Sequence, residues 1–188
     1  MIREIVQAGH PALRKKAAPV DPAWIGAPDF VQLVDDMVET MRDAPGVGLA
    51  APQIGLSIQL VVIEDHPATV DTLDDDVREE RSRDVVPLSV LVNPSIKTYG
   101  RQDVEFYEGC LSVSGWAAVT PRHNRVKVTA LDENGEKVEY DWSGWPARIL
   151  QHEIDHLKGT LYVDHMDATT FATTDNLMHD FGDEDIED

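Results

Sequence analysis

The sequence predicts an α+β fold, and three stretches carry that prediction. An apolar stripe of helical period lies near the start, two alternating segments joined through Asn134-Gly135 lie past the middle, and an amphipathic helix follows them. Strands gathered together with one late helix favour α+β over a regular alternation of strand and helix.

The first helix is expected over Asp29 to Arg42. Phe30, Leu33, Val34, Met37, Val38 and Met41 fall on one face, with acids opposite. Asp43-Ala44-Pro45-Gly46 breaks it. Ile58 to Ile63 is a β-branched run expected as a buried strand, and strand signal resumes at Leu88 to Val92. Between them, residues 65–84 carry eight acids interleaved with Arg78, Arg81 and Arg83 and few large apolar residues. That composition predicts a solvated surface excursion with little chemistry. Val126, Val128 and Ala130 alternate with polar residues, and so do Val138, Tyr140 and Trp142 beyond the turn. This is a hairpin pattern, because Asn-Gly supplies the positive φ angles such a turn needs. Ser143-Gly144-Trp145-Pro146 reads as a helix start with a serine cap and proline in the first turn. Ala147, Leu150, Ile154 and Leu157 then form the apolar face, and Gly159 is the expected stop. Leu161-Tyr162-Val163 is expected as a short strand.

A chain of 188 residues is most simply one domain, placed at 1–170, with an acidic tail at 171–188 expected to be mobile. Five of the last six residues are acids. Sixteen basic against 35 acidic residues leave a net charge of −19, which repels phosphate backbones and anionic membranes. No stretch approaches the ~18–20 apolar residues of a membrane span. The N-terminus lacks an apolar secretory segment, so a soluble, cytoplasmic protein is expected, or an organellar one whose leader was removed. The one cysteine, Cys110, excludes an intramolecular disulfide and leaves a buried hydrophobe, a reactive thiol or a metal ligand.

The strongest local signal is His152-Glu153-Ile154-Asp155-His156. Residues four apart share a helix face, so the two imidazoles can share a metal. Glu153 stands beside the first of them and can handle protons without being a ligand. Against the metal site stands an ordinary polar helix surface, which the apolar opposite face of the helix disfavours. An extended zincin protease would need a further ligand three residues beyond Gly159, where this chain has Tyr162. Asp164 and His165 come two and three residues too late. Cys110, within Glu108-Gly109-Cys110-Leu111-Ser112, can supply the missing donor. A Cys/His/His set leaves a coordination position open, as catalytic rather than structural sites do. Its thiolate suits a thiophilic first-row ion such as Fe(II) or Zn(II). A third block, Gly46-Val47-Gly48-Leu49-Ala50-Ala51-Pro52-Gln53, lets backbone approach a ligand and offers the Gln53 amide. Its Gly46-x-Gly48-x-x-Ala51 spacing also fits a dinucleotide loop, with Asp65 downstream, but such a loop must follow a strand and this one follows a helix.

These three blocks, Gly46 to Gln53, Glu108 to Ser112 and Gln151 to Gly159, resemble the three signature motifs of peptide deformylases, in the same order. The resemblance runs from about Ile5 to about Met166, and Ser143 to Leu150 is similar to the branch that includes organellar enzymes. It implies antiparallel sheets packed around a central metal-binding helix, and removal of the formyl group from formylmethionyl nascent peptides with release of formate. It implies Cys110, His152 and His156 as ligands of one divalent ion, Fe(II) in the cell and zinc, nickel or cobalt in preparations. It also implies Glu153 as acid/base, Gln53 and the Leu111 N–H as oxyanion donors, and the Gly48 backbone beside the substrate. Ile149, one turn before Glu153, is the candidate for the methionine side-chain pocket. Arg122 reads as a surface salt bridge, and Arg148 is open between pocket and solvent. Some deformylases dock on the ribosome through a basic C-terminal helix; the acidic tail here repels ribosomal RNA, so at most transient ribosome proximity is expected.

Overall fold

The computed structural model describes the backbone of residues 1–181. Its elements in order are α1 (Pro28–Asp43), β1 (Gly48–Ala50), β2 (Leu60–Asp65), α2 (Pro67–Val70), α3 (Asp75–Arg81), β3 (Val86–Glu108), β4 (Trp116–Leu131), β5 (Lys137–Ser143), α4 (Trp145–Lys158), β6 (Ala172–Thr173) and α5 (Thr174–Phe181). Every strand pairing is antiparallel, in the order β1-β2-β3-β4-β5, with β6 on the first residues of β4. The α+β expectation holds.

The apolar run of β2 has a simple cause. Val61 and Ile63 pack with Leu150 and Ile154 of α4, while Leu60 and Val62 pack with Phe30, Met37 and Met41 of α1. The strand is therefore covered on both faces, and a strand covered twice has no polar phase. The predicted hairpin forms with Val126 opposite Trp142, Val128 opposite Tyr140 and Ala130 opposite Val138. Gly135 in its turn has φ 81°.

Four expectations are corrected. Ser143 does not cap α4; it ends β5, and Gly144 is the cap residue with φ 68°. Leu161 to Val163 is not a strand: a 3-10 turn over Tyr162–Asp164 takes its place, with Asp164 accepting from the Leu161 N–H. Residues 65–84 are not merely solvated, because they hold two short helices and bury Asp65, Val70, Arg81 and Arg83. The tail drawn from residue 171 begins with ordered structure: Ala172 and Thr173 pair with Ala117 and Trp116, and α5 follows. The acidic final six residues lie outside the described residues.

Candidate active site

Helix α4 builds the site. Its four-residue spacing places Arg148, His152 and His156 in one row and Trp145, Ile149 and Glu153 in another. The helix forms because apolar positions at its period meet the sheet, and Gly159 ends it with φ 78°. Cys110 comes from the loop just after β3 and is buried.

The structure brings together what the sequence pairs. The Sγ of Cys110 lies 3.4 Å from His156 Nε2, which lies 3.2 Å from His152 Nε2. All three donor atoms fall within 4.8 Å of one another. Corners of a tetrahedron with bonds of ~2.0–2.3 Å stand roughly 3.3–3.7 Å apart, so the donor set fits one small divalent ion. Glu153 Oε2, on the cleft beside these donors, is buried without a hydrogen-bond partner, and buried polar groups are ordinarily satisfied, so this carboxylate oxygen is open to a bound group.

Two of the three donors, His152 and Cys110, are held from behind. Glu108 Oε1 accepts from His152 Nδ1 at 2.7 Å, which fixes the tautomer and turns Nε2 towards Cys110. Glu108 also accepts from Arg122 and from Arg148. Arg122 continues to Asp155, and Arg148 donates to the carbonyls of Thr120 and Val104. Burial alone would raise the Glu108 carboxyl; the Arg122 guanidinium and His152 overcome it and hold it well below the usual carboxylate range. The Ser112 N–H donates to Cys110 Sγ at 3.4 Å, a further anchor for the thiolate.

Glu153 is buried beside His152, and burial pushes its carboxyl up to about 7. Gly48 makes room for it: a Cβ there would stand 2.4 Å from Glu153 Oε1. The Ala50 N–H donates to Gln53 Oε1 at 2.8 Å, which orients the amide so that Nε2 faces Cys110 Sγ at 3.7 Å. Leu111 and Gly48 line a cleft together with Cys110, Trp145, Arg148, Ile149 and Glu153. Ile149 is both cleft lining and core.

All eight residues singled out by sequence fall on or beside this cleft. Arg122 departs from expectation. It is a buried link between Glu108 and Asp155, not a surface salt bridge. Arg148 is buried and lines the cleft. Signals for both were present. Arg148 precedes His152 by four residues, and Arg122 shares the even phase of Ala118, Thr120, Val126 and Val128, all buried. The ring of Trp145 and the arginines around it were missed outright.

The chain is similar along most of its length to known proteins. The family model described as polypeptide deformylase matches residues 2–172. "Peptide deformylase 1A, chloroplastic" of Solanum lycopersicum is 46% identical over 174 residues, covering 93% of this chain and 63% of the relative. Peptide deformylase 1 of Streptomyces coelicolor is 48% identical over 169 residues, covering 90% of this chain and 75% of the relative. The chain thus spans under two thirds of the plant relatives, 63% in tomato and 65% in Arabidopsis thaliana. The Met-Ala-Ser-bound crystal structure of a class I type b peptide deformylase from Acinetobacter baumannii superposes with a TM-score of 0.77. It is 33% identical, over 88% of this chain and 99% of that one. With the Cys110, His152 and His156 cluster, the buried Glu153 and the three motifs all within the matched residues 2–172, the chain belongs to the polypeptide deformylase family.

Proposed function

We propose that this protein is a metal-dependent hydrolase that removes the N-formyl group from formylmethionyl nascent peptides and releases formate. One observation carries the reading: three metal-ligating atoms lie within 4.8 Å of one another, beside a buried glutamate on an apolar cleft. When bound, the ion supplies Lewis acidity, which polarises a carbonyl and makes water nucleophilic near neutral pH. Cys110, His152 and His156 would hold it; a thiolate with two imidazoles suits Fe(II) or Zn(II), and the family resemblance points to Fe(II) in the cell, with Zn(II), Ni(II) or Co(II) able to replace it.

Glu153 takes the proton of the attacking water and returns it to the amine nitrogen as the C–N bond breaks, which leaves formate and a free N-terminus. Its raised pKa suits both transfers. The Gln53 amide, already oriented by Ala50, and the Leu111 N–H donate to the developing oxyanion. Gly48 lies on β1, whose pairing is with β2 on one side, so the other edge offers an extended peptide backbone hydrogen bonds. The methionine side chain enters between Trp145 and Ile149. The neighbour from Acinetobacter baumannii, whose bound peptide is Met-Ala-Ser, supports this placement of the substrate class. Formylated chains confine the action to a bacterial cytoplasm or an organelle that starts synthesis with formylmethionine.

The test is incubation of the metal-loaded protein with formyl-Met-Ala-Ser. Formate release without internal cleavage is expected. Internal cleavage alone would indicate a metallopeptidase, and binding without either product a non-catalytic receptor.

A further inference from the structure

The segment 65–84, composed as if for solvent, instead docks on the first turn of α4. The Ser82 carbonyl accepts from the Trp145 N–H at 3.4 Å. Gly144 is the notch for this contact: a Cβ there would stand 2.5 Å from Ser82 Cβ and 2.7 Å from its carbonyl oxygen. Arg83 is wholly buried, and its guanidinium donates to both carboxylate oxygens of Asp65, at 2.8 and 3.1 Å. The same guanidinium stands 5.4 Å from the centre of the Trp145 ring, and that of Arg81 stands at 5.2 Å. Phe106 closes on the ring from another side, edge-on at 6.1 Å.

Trp145 also lines the cleft, one turn before Ile149 and two before Glu153 on the same row. An indole exposed to a substrate pocket can tilt unless its other side is fixed. The cleft-lining Arg148 also packs on this ring, at 5.7 Å, but Arg83 stands outside the cleft lining and is locked bidentately to a buried carboxylate, a rigid rather than adaptable support. We propose that Arg83 and Asp65 form a positioning clamp that holds Trp145 as the wall of the substrate side-chain pocket and thereby sets which N-terminal side chain is accepted. Arg83 touches no substrate; it acts through Trp145. The proposal rests on the deformylase reading of the cleft.

Replacing Arg83 alone would strand the buried Asp65 charge, so the paired variant Asp65→Asn/Arg83→Gln is the appropriate probe: it removes both charges and keeps a hydrogen-bonding pair. The kcat and KM of wild type and variant are measured with formyl-Met-Ala-Ser and formyl-Phe-Ala-Ser, alongside metal content. The expected result is a Met-over-Phe preference in kcat/KM lower by about 3- to 30-fold, the worth of a desolvated cation–π contact. KM for the methionine substrate rises while its kcat and the metal content hold, a split that general loss of structure would not give. Arg83→Lys, which keeps a cation beside Asp65 and the ring, recovers part of the preference. A folded, metal-loaded pair variant with wild-type preference overturns the clamp. Should the variant not fold, amide exchange of the wild type decides: Met-Ala-Ser slows the Trp145 N–H and residues 81–84 if the clamp is coupled to the pocket, and unchanged exchange there overturns it. Wild type that releases no formate sinks the deformylase reading and the clamp with it, whereas formate release with an unaltered preference sinks the clamp alone.

Discussion

Two side chains in the cleft have no tolerance for change, for different reasons. On the proposed mechanism Glu153 moves protons and is not a ligand, so Glu153→Ala is expected to leave Cys110, His152 and His156 to hold the ion while formate release falls by ~10²- to 10⁴-fold. Metal analysis on the same sample separates this from loss of the site, and retained turnover would refute the assignment. Gly48 acts by what it lacks. Any Cβ meets the Glu153 side chain at 2.4–2.8 Å over three of its atoms, so the carboxylate must move. Gly48→Ala should fold normally, since β1 tolerates alanine, and should lose activity of the order of 10²-fold, the cost of a misplaced reacting group. Normal activity in Gly48→Ala would show that Glu153 has another working position.

At the scale of elements, one carboxylate joins the end of β3 to β4 and α4. Glu108 accepts from Arg122 of β4 and from Arg148 and His152 of α4. A charged network buried this deeply contributes specificity of arrangement more than net stability, yet breaking it is costly because Arg148 loses its counter-charge and Arg122 keeps only Asp155. Glu108→Gln is expected to lower stability by ~3–5 kcal/mol. It should also weaken metal binding by roughly 10- to 100-fold, because the tautomer of His152 is no longer fixed by a carboxylate. Denaturant unfolding and metal titration check the two halves separately. The network also shows why sequence reading understated these residues. Glu108, Arg122 and Arg148 are 14 to 40 positions apart, and a lone arginine in a strand or helix reads as solvated until its acid is found. The α1 stripe, the hairpin register and the α4 face were legible because each is a local periodicity. The 3-10 turn at Tyr162–Asp164 was not, because Leu161-Tyr162-Val163 suits a strand by composition and Asp164 imposes the turn by accepting its N–H.

For the whole molecule, an ion held by Cys110, His152 and His156 would tie the loop after β3 to α4, two parts that meet only through tertiary packing. Removing it with a chelator should lower the unfolding midpoint. An ion present at 100 to 1,000 times its dissociation constant stabilises by ~2.7–4.1 kcal/mol, and that contribution disappears. An unchanged midpoint would argue that the three donors hold no ion in solution. The net charge of −19 acts in the opposite sense on the whole surface. Like charges repel over roughly 30 Å at ~0.01 M salt but about 8 Å at ~0.15 M, so stability should rise as salt is added over this range. A thermal melt that is flat or falling with sodium chloride would contradict it.

The sequence by itself determined the α+β character and the helix that carries the two histidines, and it singled out Cys110, His152, His156 and Glu153, the first three of which the fold brings together. Those depend on local period and on chemistry that few residue types can supply. Only the tertiary structure decided which charges are buried. Asp65, Arg81, Arg83, Arg122 and Arg148 look like surface in a linear reading, yet each is buried. The reason is physical: whether a charge can leave water depends on a partner reached across the fold, and no period along the chain encodes that partner.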